Sequence, residues 1–379
     1  MNLKILHVTP SFYPATYWGG PIYSVYGLCN ALAKIPDVSL RVLTTDSADP
    51  NRSDSVEVSG FPMYYPAGFE VFFCRRLWAA SVSPGMILQL WSMIRWADII
   101  HLTGVYSFPT FPVLLLARIN KKPVVWSPRG ALQRWKGSKR LFLKYIWERV
   151  CNFLIMPGLC TLHVTSDDEA KESLQRISRA DIVVIPNGVE IPELTERNWR
   201  PDSRLRLLYL GRLHPKKGIE NLIRCMMELK EETLLNIYGN GEQNYTNQLK
   251  ELIISLGLEN RIFLRGHVTG VKKKLAFENS DLSIVPSFTE NFGMVVAESL
   301  AHGVPVIASK GTPWEKLEKK GCGFWVDNDP LTLKNVIIRT KQADLFTMGL
   351  KGRKWMIESY SWGSVSNRMF RLYENILSQ

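Results

Sequence analysis

Short runs of β-branched and aliphatic residues recur along the chain, each closed by a turn signal and separated from the next by a stretch of helical pattern. In the first half they read LKILHV, LRVLTT, DIIHLTG, PVVWSP, TLHVTS and DIVVIPNG. In the second half they read LRLLYLGR, LLNIYGN, RIFLRGH, DLSIVPS and VPVIAS. Strands that are apolar at nearly every position are covered on both faces, and their alternation with helices predicts parallel sheets. There are enough of them for two sheets. The pattern breaks at IPNGVEIPELTERNWRPDSRLR, rich in Pro, Asn and charge, which places a linker around residues 188–203. The expected fold class is therefore α/β, with two doubly wound domains facing a shared cleft. In such sheets ligands bind beyond the strand C-terminal ends, so the loops that follow the strands are where chemistry is expected.

A length of 379 residues suits two domains, and 46% apolar residues suits a real core. With no run of eighteen apolar residues, no transmembrane helix is expected. The N-terminal MNLKILHVTP is too short and too polar for a signal peptide and reads as a first strand. The six cysteines (29, 74, 151, 160, 225 and 322) lack close metal-type spacing and lie in apolar surroundings, as reduced thiols of a cytoplasmic protein would. The net charge of +12 and pI near 9.4 suit an acidic partner.

Two stretches carry candidate chemistry. In LGRLHPKKGIENLI, Gly211 ends a strand and Gly218 precedes a helix, with Arg212 and Lys217 in the loop between. Two fixed cations suit a diphosphate, because guanidinium binds oxyanions bidentately and ammonium adds a point charge. The same loop also reads as a solvated basic surface. In SFTENFGMVVAESLAHGVPVIAS, a helix is expected from Gly293 or Met294 to Gly303, and its N-terminal N–H groups make an anion site. Glu298 then falls about one turn into that helix, with Glu290 in the loop ahead. From helical and extended rises the two carboxylates are expected roughly 10 Å apart, about the reach from a ribose to a sugar across a diphosphate. Carboxylates accept well from sugar hydroxyls, although a loop carboxylate and a helix-face carboxylate read equally well as surface groups.

Together these motifs resemble the retaining glycosyltransferases of the GT-B fold, family 4. Glu290 and Glu298 match that family's pair of glutamates with seven residues between them, and ENFGMVVAESLAHGVPVIAS matches the pattern around it. GRLHPKKG resembles its Gly-Arg loop, IPNGV the turn before its linker, and HVTPSFYPATYWGGPIYSVYGL its N-terminal glycine loop. The resemblance implies two Rossmann-like domains: an acceptor domain over residues 1–190, a nucleotide-sugar domain over residues 200–360, and a last helix, 361–379, that crosses back to the first. It implies that Glu298 binds the ribose and Glu290 contacts the donor sugar. Arg212 and Lys217 take the pyrophosphate, with Gly19 and Gly20 approaching it from the first domain. Backbone groups of Asn291, Phe292, Gly293, Met294 and Val295 hold phosphate and sugar, and the base lies near Gly239 and Val268. Transfer would retain anomeric configuration, with no cofactor and no divalent metal, because protein cations neutralise the leaving group. The donor favoured is UDP-glucose or a related UDP-hexose, then GDP-mannose. A sugar-nucleotide sensor is the non-enzymatic alternative.

One departure stands out. Where many members end a strand with histidine, this chain reads WSPRGAL, with Ser127 and Arg129, which resembles a polysaccharide-assembly subgroup with a Pro-Arg-Gly motif. Arg129 is expected at the donor phosphates or at an acceptor phosphate. His101 in IIHLTG ends a neighbouring strand, and two readings stand for it: a catalytic or substrate-binding cleft histidine, or a packed core histidine.

The charge is also uneven. Between Arg118 and Arg149 ten basic residues face one acidic residue, Glu148, with Trp135, Phe142, Tyr145 and Trp147 interleaved. Aromatics among cations on one helix suit an anionic membrane surface. The alternative is a helix packing its apolar face on the core and its charges in water. No nucleic-acid-binding motif accompanies the patch. The expected partners are a nucleotide-sugar, a lipid-linked saccharide acceptor and the inner face of the plasma membrane; a soluble small acceptor is the alternative. TSDDEA reads as a helix start capped by Ser166 with Glu169 as box partner, and DND at 327–329 as a turn.

Overall fold

A computed structural model describes residues 2–49, 55–57, 61–78, 81–134, 138, 140–195, 199 and 204–379. Trp135, Lys136 and Lys139 of the basic segment, and most of linker residues 196–203, lie outside the described residues. The chain divides into two compact units, Met1–Gly188 with Trp362–Gln379, and Val189–Ser361.

The first unit is built on an eight-stranded sheet: β1 (Leu3–Val8), β2 (Val38–Thr45), β3 (Met63–Tyr65), β4 (Phe69–Cys74), β5 (Ile99–Thr103), β6 (Val124–Ser127), β7 (Cys160–Val164) and β8 (Asp181–Val184). Their order is β3-β4-β2-β1-β5-β6-β7-β8. All neighbours pair parallel except β3 with β4, an antiparallel hairpin at the edge. Helices α1 (Gly20–Leu32), α2 (Gly85–Trp96), α3 (Thr110–Ile119), α4 (Leu141–Leu154) and α5 (Asp167–Arg176) connect the strands.

Strand side chains alternate between two cores. Leu6, Val8, Ile100, Leu102 and Trp126 pack with α2 and α3 residues. Leu3, Ile5, Ile99 and Val125 pack under α1 together with Val365, Met369 and Tyr373 of the last helix, α12 (Trp362–Leu377). Ser166 caps α5 by accepting from the Glu169 N–H at 3.2 Å, while the Glu169 carboxylate accepts from Thr165 N–H and Oγ1.

The second unit has a six-stranded, wholly parallel sheet: β9 (Leu205–Leu210), β10 (Thr233–Tyr238), β11 (Ile262–Gly266), β12 (Leu282–Val285), β13 (Val306–Ser309) and β14 (Gly323–Val326). Helices α6 (Ile219–Met226), α7 (Gln243–Ser255), α8 (Gly270–Glu278), α9 (Met294–Ala301), α10 (Pro330–Lys341) and α11 (Leu345–Tyr360) complete it. The order β11-β10-β9-β12-β13-β14 winds outward in both directions from β9. The crossover reverses between β9 and β12, so the loops after these two strands part and leave a crevice. The DND segment is a helix start: Asp329 accepts from Thr332 N–H at 2.9 Å and Pro330 occupies the first turn of α10.

Helix α4 packs Trp147, Cys151 and Leu154 on the core but leaves a second apolar face outside. Glu148 and Cys151 are its buried residues. Glu148 is met there by the guanidinium of Arg134 and the hydroxyl of Tyr106. Leu141, Phe142, Leu143, Tyr145, Ile146, Val150 and Phe153 are exposed, Phe142 by 73% and Phe153 by 69%. An amphipathic pattern does not say how many apolar faces a helix has; here the ion pair of Glu148 lies inside beside Trp147, Cys151 and Leu154, and a further apolar stripe faces outward.

Candidate active site

The site forms at the point where the second sheet reverses direction. After β9, residues 211–218 run out and return to α6; after β12, residues 286–293 run into α9. The two loops are pinned to each other and to their neighbours. Phe288 N–H donates to the Lys216 carbonyl at 2.8 Å, Glu290 N–H to the Gly311 carbonyl at 2.8 Å, and Asn328 Nδ2 to the Pro286 carbonyl. Gly218 is required where they meet: its φ is +60°, and a Cβ would stand 2.4 Å from the Pro286 carbonyl oxygen. Gly239, after β10, closes on the same loop, where a Cβ would stand 1.8 Å from the Gly211 carbonyl oxygen.

This packing brings Lys217 and Glu290 into an ion pair, both largely buried. Ser287 Oγ donates to the same carboxylate oxygen at 2.8 Å. Arg212 lies on the same loop, its carbonyl holding the Tyr209 hydroxyl at 2.9 Å. Lys216, which the sequence reading passed over, is half-buried there; burial first, then the charge of Lys217, lowers its pKa below the usual lysine value. Lys217 pairs with Glu290, the charges of Lys217, Glu290 and Arg212 all act on Lys216, and Arg212 is exposed on the same loop, so this loop carries a surplus of positive charge suited to a diphosphate.

Helix α9 begins at Met294, with Gly293 as its cap. Met294 and Val295 lie in its first turn, where N–H groups have no intrahelical partner and the dipole is positive. Phe292 is buried against Trp314, whose Nε1 donates to the Phe292 carbonyl at 2.6 Å, so this residue anchors the loop from behind. Glu298 lies just over a turn into α9, where Lys273 of α8 stands 2.6 Å from its Oε1. Val268 is half-buried in the loop between β11 and α8. Lys273 lies outside every motif, whereas Lys216 and Ser287 lie inside GRLHPKKG and SFTENFG at positions that carried no expected role.

The remaining predicted residues belong to the first unit. Gly19 caps α1 and Gly20 opens it, directly after the β1 exit loop. Arg129 is half-buried, with its Nη1 donating to Asn187 Oδ1 and its buried Nε without a hydrogen-bond partner. Burial pulls its pKa down, against the opposing charge of Glu169.

His101 is corrected from catalytic candidate to core residue. It is fully buried and both ring nitrogens are occupied. Nδ1 meets Tyr373 OH at 2.5 Å and Nε2 meets Ser127 Oγ at 2.7 Å. Ser127 Oγ continues to His163 Nδ1 at 2.7 Å, and His163 Nε2 to the Ile185 carbonyl at 2.9 Å. The direction of this chain is fixed at its end, because a carbonyl only accepts. His163 therefore donates from Nε2, Ser127 donates to His163, His101 donates from Nε2 to Ser127, and Tyr373 donates to His101. His7 stacks on His101 with centroids 4.5 Å apart. Burial drives His7 and His163 down to about 3 and His101 well below its usual value.

The family model described as "Glycosyltransferase Family 4" matches residues 18–192, and that described as "Glycosyl transferases group 1" matches residues 190–342. The chain is 30% identical over 299 residues to the alpha-monoglucosyldiacylglycerol synthase of Streptococcus pneumoniae, covering 72% of this chain and 64% of that one. It is 23% identical over 395 aligned positions to the GDP-mannose:cellobiosyl-diphosphopolyprenol alpha-mannosyltransferase of Komagataeibacter xylinus, covering 100% of this chain and 94% of that one. The first several curated relatives are spanned over only 54–64% of their own length. Among solved structures, Anabaena Alr3699/HepE in complex with UDP-glucose superposes with a TM-score of 0.71 at 18% identity, over 98% of this chain and 100% of that chain. The glutamate pair, the Gly-Arg loop, the two doubly wound sheets and these matches agree: the chain belongs to the family 4 glycosyltransferases of the GT-B fold.

Proposed function

We propose that this chain is a retaining, metal-independent hexosyltransferase that takes its sugar from a UDP-hexose, UDP-glucose foremost. The acceptor is a lipid-linked saccharide of exopolysaccharide or cell-surface polysaccharide synthesis, met at the cytoplasmic face of an anionic membrane. The observation that carries the membrane half is the outward apolar face of α4. Phe142, Ile146, Val150 and Phe153 are exposed along one side of it, beside Arg149. Water gains nothing from that arrangement, whereas a headgroup boundary takes both the stripe and the cation. No helix among the described residues is long and apolar enough to cross a membrane, so the contact proposed is peripheral.

The acceptor class draws support from two relatives whose names specify a diacylglycerol glucoside and a diphosphopolyprenol saccharide. The donor draws support from the fold neighbour solved with UDP-glucose. GDP-mannose is the second reading, favoured by the full-length Komagataeibacter relative.

The chemistry uses positioning and charge. The bond from the anomeric carbon to the phosphate oxygen breaks, and the acceptor oxygen bonds to the same face of that carbon. The acceptor's proton passes to the leaving diphosphate. Arg212, Lys216, Lys217 and the N-terminus of α9 stabilise the negative charge that develops there. Protein cations thereby do the work a divalent metal does elsewhere.

Incubating the protein with UDP-, GDP- and ADP-sugars in EDTA and following nucleotide release tests the donor. Slow release from UDP-glucose with chelator present is expected; release only after Mg²⁺ or Mn²⁺ is restored overturns metal independence, and release from GDP-mannose alone moves the donor to the second reading. For the membrane half, the protein is expected to sediment with phosphatidylglycerol-containing liposomes at low salt. Phe142→Ser combined with Phe153→Ser should weaken that binding by about tenfold or more, since each aromatic removes ~1 kcal/mol or more of apolar burial. Absence of sedimentation removes the membrane from the proposal.

A further inference from the structure

Lys273 has no part in the chemistry above, yet it holds one of the key carboxylates. Its Nζ lies 2.6 Å from Glu298 Oε1, in a pair only partly exposed, 31% for the lysine and 21% for the glutamate. Among the described residues Glu298 Oε2 has no partner. The helix Lys273 belongs to does not account for its presence. GVKKKLAFE puts three lysines in the first five residues of α8, near the end where the helix dipole disfavours cations. Lys274 turns back along its own helix toward Glu278 at 3.6 Å, whereas Lys273 leaves the helix for α9.

We propose that Lys273 is a positioning residue for nucleotide recognition: by occupying Oε1 it fixes the Glu298 carboxylate and presents Oε2 to the ribose hydroxyls of the donor. The inference rests on the reading of Glu298 as the ribose ligand and extends it. A glutamate side chain ordered before the ligand arrives loses less conformational entropy on binding. Lys273 therefore sets how strongly a ribonucleotide is preferred over one lacking the hydroxyls, without touching the nucleotide itself.

The test compares binding of UDP and 2′,3′-dideoxy-UDP by calorimetry, with the corresponding GDP pair in parallel, to the wild type, Lys273→Met, Lys273→Arg and Glu298→Gln. In the wild type the ribonucleotide binds more tightly. Lys273→Met is expected to cut that preference by about tenfold, the order of one charge-assisted hydrogen bond, while leaving the dideoxy affinity unchanged. Lys273→Arg restores most of it, which a merely structural lysine would not predict. Equal weakening of both nucleotides in Lys273→Met, or no change in either, overturns the proposal. Glu298→Gln separates the two layers. If it abolishes the preference while Lys273→Met does not, the positioning role alone fails. If Glu298→Gln leaves the preference intact, or if neither UDP nor GDP binds, the ribose reading fails and the positioning role with it.

Discussion

Acidification from pH 7 to 5 is expected to remove about 6 kcal/mol of stability from the first unit, or ~2 kcal/mol for each of three buried histidines. His7, His101 and His163 are buried and each is held neutral by desolvation. Their folded pKa values lie at about 3 for two of them and well below the ordinary value for the third. In the unfolded chain all three titrate near 6.5. Below that pH the unfolded state takes up protons that the folded state refuses, so the stability present above about 6.5 is lost as pH falls toward about 3.

The hydrogen-bond chain sharpens the effect. A proton on His163 Nδ1 would oppose the Ser127 hydroxyl, and one on His101 Nδ1 would oppose the Tyr373 hydroxyl that ties the last helix to β5. Because domains have only ~5–15 kcal/mol in total, the first unit should be close to its unfolding midpoint near pH 5. Urea titrations at pH 7, 6 and 5 measure the slope directly. A fall below about 2 kcal/mol over that range, or three imidazole C2 proton signals of buried histidines titrating near pH 6.5, would sink this account.

These histidines also show where the sequence stops being informative. IIHLTG reads the same for a cleft histidine as for a core one. What decides between them is Tyr373, a hydrogen-bond partner 272 residues away. The parallel strands were legible because burial on both faces leaves an unbroken apolar run, and β1, β5, β9 and β12 are examples. The hairpin β3–β4 and the edge strand β14 were missed. Met63–Tyr65 is three residues with two exposed, and Gly323–Val326 is only four residues and mostly half-buried, too short a run to stand out. The spacing of Glu290 and Glu298 was visible because it lies within one strand–loop–helix unit. Their partners were not, since Lys217 meets Glu290 across 73 residues and Lys273 meets Glu298 across 25. Helix α4 shows a different limit. Its amphipathic period was legible, but the inward placing of Glu148 depends on Arg134 and Tyr106, which lie outside the helix.

Glu290→Gln is expected to lower turnover by about a hundredfold or more, the order for loss of one preorganised electrostatic contact, while free UDP binds as well as before or more tightly. The ion pair with Lys217 is the reason for the asymmetry. An incoming diphosphate competes with the Glu290 carboxylate for the Lys217 ammonium and is repelled by that carboxylate. Replacing the carboxylate with an amide of the same shape removes both obstacles, and Ser287 Oγ still has an oxygen to donate to. What the amide lacks is negative charge beside the anomeric carbon, where positive charge builds as the diphosphate departs, and that charge matters only at the transition state. Arg212→Ala should behave in the opposite manner, weakening UDP by about tenfold or more, because the guanidinium–phosphate contact proposed for it would already be made in the ground state. Calorimetry with UDP, alongside turnover of the donor, resolves the two patterns. Parallel losses of affinity and turnover in Glu290→Gln would reduce Glu290 to a ground-state ligand. Unchanged UDP affinity in Arg212→Ala would take Arg212 out of the phosphate site and leave Lys216, Lys217 and the α9 terminus to hold the leaving group.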